Sequence, residues 1–194
     1  MRRRKEKRKL FVPLFIIGIM VLSMFGVVIG GLSQDENVEK YNGISFVELG
    51  NGYKFNVGGL DHNVYSFPQE LERFEGSSVE RLVNDLVVGK YAKVYLDISN
   101  GESLGAVNQV YTNLGGSGLF VPSCTEEFAE EERCKELPIN SCEELEENNL
   151  FFSFEIGENL ESYENNCFEV NGNLNHLINV ADYVVMKSLG VFNE

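Results

Sequence analysis

Three side chains that can bind a ligand or take part in acid–base chemistry lie at the end of one predicted strand. Asp97 falls near the end of the alternating segment Ala92–Ile98, and Asn100 and Glu102 follow it closely. In an open α/β sheet, ligands gather beyond the carboxyl ends of the strands. The loop is therefore a candidate cation or ligand site. Ordinary turns use the same residue types, however, and the acidic spacing of a calcium-binding loop is missing.

No other residues form a recognisable catalytic arrangement. The only histidines are His62, in a predicted turn, and His176, in the first turn of a predicted helix, and we expect both to lie on the surface. The sequence lacks a G-x-S-x-G nucleophile elbow, an H-E-x-x-H metal motif and a glycine-rich phosphate loop. We therefore assign no catalytic residue, and we predict neither a cofactor nor a bound metal.

Four cysteines, Cys124, Cys134, Cys142 and Cys167, all lie in the C-terminal half of the chain. An even number of cysteines in an oxidising compartment indicates two disulfides, for which three connectivities exist. Spacing alone does not choose among the three, and we favour Cys124–Cys134 with Cys142–Cys167. Zinc is the alternative, but the spacings are irregular and no C-x-x-C pair is present.

The segment 125–149 is rich in acidic residues. It contains ten glutamates and little to bury: Glu126, Glu127, Glu130, Glu131, Glu132, Glu136, Glu143, Glu144, Glu146 and Glu147. Such a run is usually a solvated face, although it also suits a divalent cation or a basic protein partner.

Charge is divided sharply along the chain. Residues 2–9 hold seven Lys or Arg and one acid, whereas the remainder holds nine basic and 29 acidic residues, a net charge of −20. An acidic domain of this kind is repelled by phosphate backbones and by anionic lipid headgroups. These charges argue against nucleic acid as a partner.

An uncharged apolar segment follows the basic residues. The 23 residues 10–32 span about 34 Å as a helix, enough to cross a hydrocarbon core of about 30 Å. We predict a retained transmembrane helix with residues 1–9 in the cytoplasm, a tether at 33–40 and an extracytoplasmic acidic domain at 41–194. A cleaved signal peptide is the alternative, but its apolar region is usually shorter. Gly26 and Gly30 have a spacing that allows two anchors to pack as a homodimer.

The pattern of apolar residues predicts an α/β or α+β domain. Helices are indicated near residues 68–74, 77–88, 104–114 and 174–189, with a short surface helix after residue 125. Strands are indicated at 44–49, 53–57, 64–67, 92–98, 119–121, 150–156 and 168–170. The first three strands form an N-terminal β-meander, and the others form a mixed sheet covered by helices.

The first hairpin is predicted in detail. A three-residue loop at Gly50–Gly52 pairs Leu49 with Tyr53 and Val47 with Phe55. This register also places Glu48 opposite Lys54 on the solvent face.

Six short sequence segments of the domain together resemble a known group of proteins. They are Tyr41-Asn42-Gly43, FPQELE at 67–72, VYLD at 94–97, LPINSC at 137–142, NCFEV at 166–170 and ADYVVMKSLGV at 181–191. In order and spacing they resemble a group of uncharacterised archaeal single-pass membrane-anchored proteins with an outer α/β domain. The resemblance implies the topology and no known activity.

These observations favour a membrane-anchored binding or cell-surface structural module over an enzyme. The alternative is a cell-surface hydrolase that uses carboxylates, with Asp97 near its centre. That alternative requires a deep cleft at the C-terminal end of the strand 92–98, holding a second carboxylate.

Overall fold

The computed structural model describes residues 37–192, and from Val38 onward the chain forms one compact unit. The predicted anchor at 10–32, with Gly26 and Gly30, lies outside the described residues. Within residues 37–192, no helix is long and apolar enough to cross a membrane.

An antiparallel four-stranded meander opens the domain, with its strands in chain order. Its strands are β1 (Val38–Tyr41), β2 (Ile44–Leu49), β3 (Gly52–Val57) and β4 (Leu60–Val64). The N-terminal meander is thus confirmed, with one strand more than predicted. Strand β1 begins inside the segment 33–40 that we assigned to a tether. The sequence did not indicate this strand because three of its four residues are exposed and it lies at the sheet edge.

The predicted register of the β2–β3 hairpin is wrong by one residue. Phe46, not Val47, lies opposite Phe55, and Leu49 lies opposite Gly52 across a two-residue turn. Because side chains alternate between faces, this shift buries Phe46 and Phe55, whose ring centroids lie 4.9 Å apart, and turns Val47 outward. A side chain at Gly52 would collide with the Val64 carbonyl of β4, so the close approach of the two strands also needs glycine there.

A second sheet of five strands has the order β6-β5-β7-β9-β8. Four of its strands are parallel and β8 runs antiparallel at the edge. The bounds are β5 (Lys93–Asp97), β6 (Phe120–Ser123), β7 (Asn149–Ile156), β8 (Leu160–Glu164) and β9 (Cys167–Gly172). The predicted mixed sheet is confirmed. Strand β8 was missed because it lacks buried apolar residues, and its Leu160 is 61 % exposed.

Strand β7 lies within this sheet and is the most apolar. Its first six residues are all buried, as expected for a strand covered on both faces. Phe152 packs against Phe154 and Phe168 with ring centroids less than 5 Å apart. These rings belong to one hydrophobic core, which also includes residues of the meander and the helices.

Between residues 37 and 192, four helices accompany the sheets: α1 (Pro68–Leu71), α2 (Ser78–Val87), α3 (Leu104–Leu114) and α4 (Leu174–Ser188). Short 3-10 turns follow α1, α3 and β6, at Glu72–Phe74, Gly115–Ser117 and Glu126–Phe128. The four predicted helices at 68–74, 77–88, 104–114 and 174–189 are confirmed, whereas the short surface helix expected after residue 125 is only a 3-10 turn. Ser77 caps α2 by accepting from the N–H groups of Val79 and Glu80. Val87, the last residue of α2, is 60 % exposed.

A buried carboxylate explains why β4 ends earlier than predicted. We expected a strand at 64–67, but the N–H groups of Tyr65 and Ser66 each donate to Asp182 Oδ2 of α4 at 2.8 Å. Gln109 Nε2 of α3 donates to the other oxygen at 2.6 Å. The chain therefore leaves the meander after Val64, because the next two N–H groups donate to a side chain of α4 and not to a neighbouring strand. Asp182 joins the end of the meander to both long helices.

Asp182 gives the fold a specific pH dependence. Burial outweighs the donated hydrogen bonds and raises the pKa of Asp182 from 3.8 to about 7. A raised pKa in the folded state contributes stability that is complete below the unfolded value and is lost as the pH rises through the folded value. Asp182→Asn should therefore gain stability relative to the wild type as the pH rises from about 4 to about 7, by on the order of 4 kcal/mol. Urea unfolding at a series of pH values measures this difference.

The exposed Glu147 supplies the control for this measurement. Glu147→Gln should leave the pH dependence of stability parallel to that of the wild type. A constant difference in unfolding free energy between Asp182→Asn and the wild type across this pH range would contradict the assignment.

Candidate functional site

A cleft lies at the C-terminal edge of the parallel strands. Strand β5 continues through α3 to β6 on one side, whereas β7 continues towards β9 on the other. Loops that leave neighbouring strands in opposite directions open a crevice between them, where ligands of open α/β sheets bind. The cleft has a volume of about 580 Å³ and is lined by Asp97, Ser99, Asn100, Gly101, Thr125, Glu127, Phe128, Arg133 and Glu155.

Asp97 and Glu155 are the carboxylates that the strands themselves contribute. Asp97 ends β5 and is only 6 % exposed, and its Oδ1 accepts the Ser99 N–H at 2.9 Å. The register pairs Leu96 with Phe152, which sets Asp97 level with Ser153. Because side chains alternate along a strand, Glu155 lies on the same face of the sheet as Asp97, one step further along. The second carboxylate that the hydrolase alternative requires beside Asp97 is therefore among the lining residues of this cleft.

The loop after β5 is stabilised as a turn. Asn100 Oδ1 accepts the Glu102 N–H at 2.9 Å, and Ser103 Oγ donates to the Asn100 carbonyl at 3.1 Å. These are the local bonds by which Asx residues form turns. Of the three residues singled out from the sequence, Asp97 and Asn100 line the cleft, whereas Glu102 is exposed and does not.

The described residues offer little to a metal ion. Among them, only Cys142, Cys167 and Glu169 form a group of at least three His, Cys, Asp or Glu whose ligand atoms lie close together. The two sulfurs of that group form a disulfide. The loop 97–102 is not part of such a group.

The opposite wall of the cleft comes from the loop after β6. The Thr125 N–H donates to Ser99 Oγ at 2.8 Å, and Arg133 Nη2 donates to the Ser99 carbonyl at 2.5 Å. Arg133 also forms an ion pair with Glu131 at 2.7 Å. Sequence reasoning missed Thr125, Arg133 and Glu155 as cleft residues. A signal existed for Glu155 alone, since parallel strands end at a common edge.

Both disulfides hold the connection between β6 and β7, and both match the pairing favoured from the sequence. Cys124 directly follows β6 and joins Cys134, with both cysteines buried. Cys142 joins Cys167, the first residue of β9, at the opposite edge of the parallel strands. The first bridge therefore closes the loop that carries Thr125, Glu127, Phe128 and Arg133 over the cleft.

The glutamate-rich segment is a solvated face along nearly all its length. All ten of its glutamates are exposed, and only Glu127 lines the cleft. Near the cleft it forms surface ion pairs, such as Lys135 with Glu132 at 2.7 Å. Exposed pairs of this kind stabilise a fold little.

The expectation of two surface imidazoles is wrong. His62 lies in strand β4 and not in the predicted turn. It is 5 % exposed, and its ring stacks on that of Phe55. His176 is 9 % exposed and lies 3.0 Å from Glu161. The alternation of β4 and the apolar face of α4 bury these rings, a result that two isolated histidines in a sequence do not indicate.

Comparisons with protein families, with curated proteins and with solved structures find no match to this chain.

The Cys124–Cys134 bridge should hold the cleft wall in place. Replacing both cysteines with alanine should lower the free energy of unfolding by about 2–4 kcal/mol, because the unfolded chain regains the freedom of the closed loop. The loop should also be cut faster by a glutamate-specific protease at residues 126–132, which urea unfolding and limited proteolysis with mass spectrometry would record.

The other bridge supplies the matched control for proteolysis. Cys142→Ala with Cys167→Ala should cost similar stability but speed cleavage mainly at residues 143–147. If removal of the first bridge left cleavage at 126–132 unchanged, the disulfide would not be what holds this wall.

Proposed function

We propose that the chain is a membrane-anchored module whose acidic domain lies outside the cytoplasm and binds a partner. The seven basic residues at 2–9 support a cytoplasmic N-terminus, and the uncharged span 10–32 supports a single membrane helix. The two disulfides support an oxidising compartment for the domain. Gly26 and Gly30 would allow two anchors to associate. The sequence resemblance to archaeal membrane-anchored proteins agrees with this topology.

This topology makes a direct prediction. In cells producing the full chain, alkaline carbonate should leave the protein in the membrane fraction. Protease added outside intact cells or spheroplasts should digest the domain. Basic residues hold the N-terminus in the cytoplasm. A variant with Arg2, Arg3 and Arg4 replaced by glutamate should therefore insert partly in the opposite orientation, so that part of its domain is protected from the external protease. Full extraction by carbonate, or complete protection of the wild-type domain, would contradict the proposal.

The partner that best fits the cleft is a basic segment of another protein. Asp97, Glu127 and Glu155 form no ion pair with any residue in the range 37–192. The single cation of the cleft, Arg133, is already bound to the Ser99 carbonyl and to Glu131. The three carboxylates are thus left without compensating charge, and this observation carries the proposal.

The setting strengthens the attraction to a cation. Two opposite unit charges 4 Å apart attract by about 4 kcal/mol at the effective dielectric typical of a protein surface, against about 1 kcal/mol in bulk water. Asp97 is buried and would gain most from a cation that enters the cleft. The exposed glutamates around it would speed the approach of a basic partner, and salt would weaken that effect.

An oligolysine peptide is the probe for this site. The full chain should bind oligolysine at low salt and should not bind oligoglutamate, as measured by calorimetry. Asp97→Asn and Glu155→Gln should each weaken binding by about five- to tenfold, since each removes one carboxylate that a lysine would contact.

Glu39→Gln is the matched control, because it makes the same change in charge on the exposed strand β1. It should leave the affinity within about twofold of the wild type, since a distant exposed charge is screened. Equal weakening by Glu39→Gln would show that the peptide binds diffuse charge and not the cleft, and absence of binding would remove the proposal.

A carboxylate-dependent hydrolase is the second candidate. It is favoured by the contrast between Asp97, which is buried, and Glu155, which is exposed, in one cleft. In enzymes that use two carboxylates, different surroundings allow one to act as the acid and the other as the base. This candidate requires that the full chain turn over a nitrophenyl glycoside or ester and that Asp97→Asn abolish the turnover. A full chain that turns over neither substrate would remove it.

A further inference from the structure

A second cleft lies where the start of α4 meets β8 and the turn before α2. It has a volume of about 500 Å³ and shares no lining residue with the cleft at the sheet edge. Its polar lining includes Arg73, Glu161, His176 and three asparagines, Asn159, Asn175 and Asn179. Nothing in the proposed function uses these residues.

A histidine–glutamate pair forms the fixed part of this cleft. His176 Nε2 lies 3.0 Å from Glu161 Oε1, and the two side chains are only 10 % and 23 % exposed. A side chain at Gly172 would collide with the His176 ring, so glycine at this position lets the imidazole lie against the strand end. Phe74 packs beside the ring, with centroids 6.0 Å apart. The position of the pair is therefore set by the backbone of β9 and by the core.

The cleft is electrically balanced. Burial and the Arg73 charge lower the pKa of His176 below its ordinary value of 6.5, against the opposing influence of Glu161, so the imidazole is neutral at neutral pH. Arg73 and Glu161 then contribute one positive and one negative charge. This balance differs from the three uncompensated carboxylates of the first cleft, and it favours an uncharged ligand over a cation or an anion.

The asparagines supply hydrogen-bond donors. Asn159 Oδ1 accepts the Asn173 N–H at 3.4 Å, and Asn179 Oδ1 accepts the Ser66 hydroxyl at 2.6 Å. The Nδ2 groups of Asn159, Asn175 and Asn179 make no hydrogen bond to another described residue. Their N–H groups remain for a ligand, together with those of the Arg73 guanidinium, while Glu161 accepts.

We propose that this cleft binds a neutral saccharide. A sugar hydroxyl both donates and accepts hydrogen bonds. It can therefore accept from the N–H groups of amides and a guanidinium while it donates to one carboxylate. An inorganic or carboxylate anion would also accept from these donors, but it would meet Glu161 inside the cleft and the net negative charge of the whole domain. The site goes beyond the proposed function, since it takes a different ligand through different residues.

Titration of the full chain with maltotriose, cellotriose, mannobiose and diacetylchitobiose tests the site, with the amide signals of α4 followed by NMR. At least one of these sugars should bind at millimolar concentration or below. Asn175→Ala and Glu161→Gln should each weaken binding by about five- to tenfold, the effect of one lost hydrogen bond. Asn175 is exposed and makes no side-chain bond, so its replacement should leave the fold intact.

Asn148→Ala, in an exposed loop outside the cleft, is the control and should bind as the wild type does. Three outcomes would overturn the proposal: no sugar shifts the signals of α4, Asn148→Ala weakens binding as much as Asn175→Ala, or inorganic phosphate displaces the sugar. None of these outcomes bears on oligolysine binding at the first cleft, so the two proposals fail separately.

Discussion

The connection from β6 to β7 is the constraint on which the cleft at the sheet edge depends. These parallel strands lie on either side of β5, and a crossover between parallel strands usually contains a helix that packs on the sheet. Here residues 124–148 contain no long helix: they form a 3-10 turn and one isolated bridge between Cys124 and Ile139, and their ten glutamates are exposed, so little apolar area fixes their path. Covalent bonds take over this role. Cys124–Cys134 holds the segment where it leaves the sheet, and Cys142–Cys167 holds it near its return.

Charge and covalent structure are linked through this segment. A chain with so many glutamates repels itself and would not settle on a sheet edge unaided. The bridges allow it to remain polar over its length while Thr125 and Arg133 bind Ser99 across the cleft. Because Arg133 is used to hold the wall, it leaves Asp97 and Glu155 uncompensated. The acidity of the cleft therefore follows from the way its wall is attached.

Strong local patterns made much of the fold predictable. The stripes of α2 and α4, the aromatic run of β7 and the alternation of β5 each specify one element, and the cysteine spacing fitted a short loop and a longer bridge. What sequence reasoning missed depends on distant contacts. Strand β1 and strand β8 are exposed edges, the β2–β3 register follows from packing of Phe46 against Phe55, and β4 ends where Asp182 captures two N–H groups. For the site, Asp97 was predictable from its strand end. Glu155 could have been found from the common edge of the parallel strands, whereas the position of Arg133 at this cleft and the pairing of His176 with Glu161 at the other depend on contacts of the folded chain.

We propose that a basic partner binds in the cleft and not along the solvated glutamate face. Hydrogen exchange of the full chain with and without oligolysine, read by mass spectrometry, separates these two modes of binding. Binding in the cleft should slow exchange in residues 97–101 and 125–133 and around Glu155, with little change at 143–147. Protection centred on 143–147, or spread evenly over the acidic surface with none at 97–101, would contradict it.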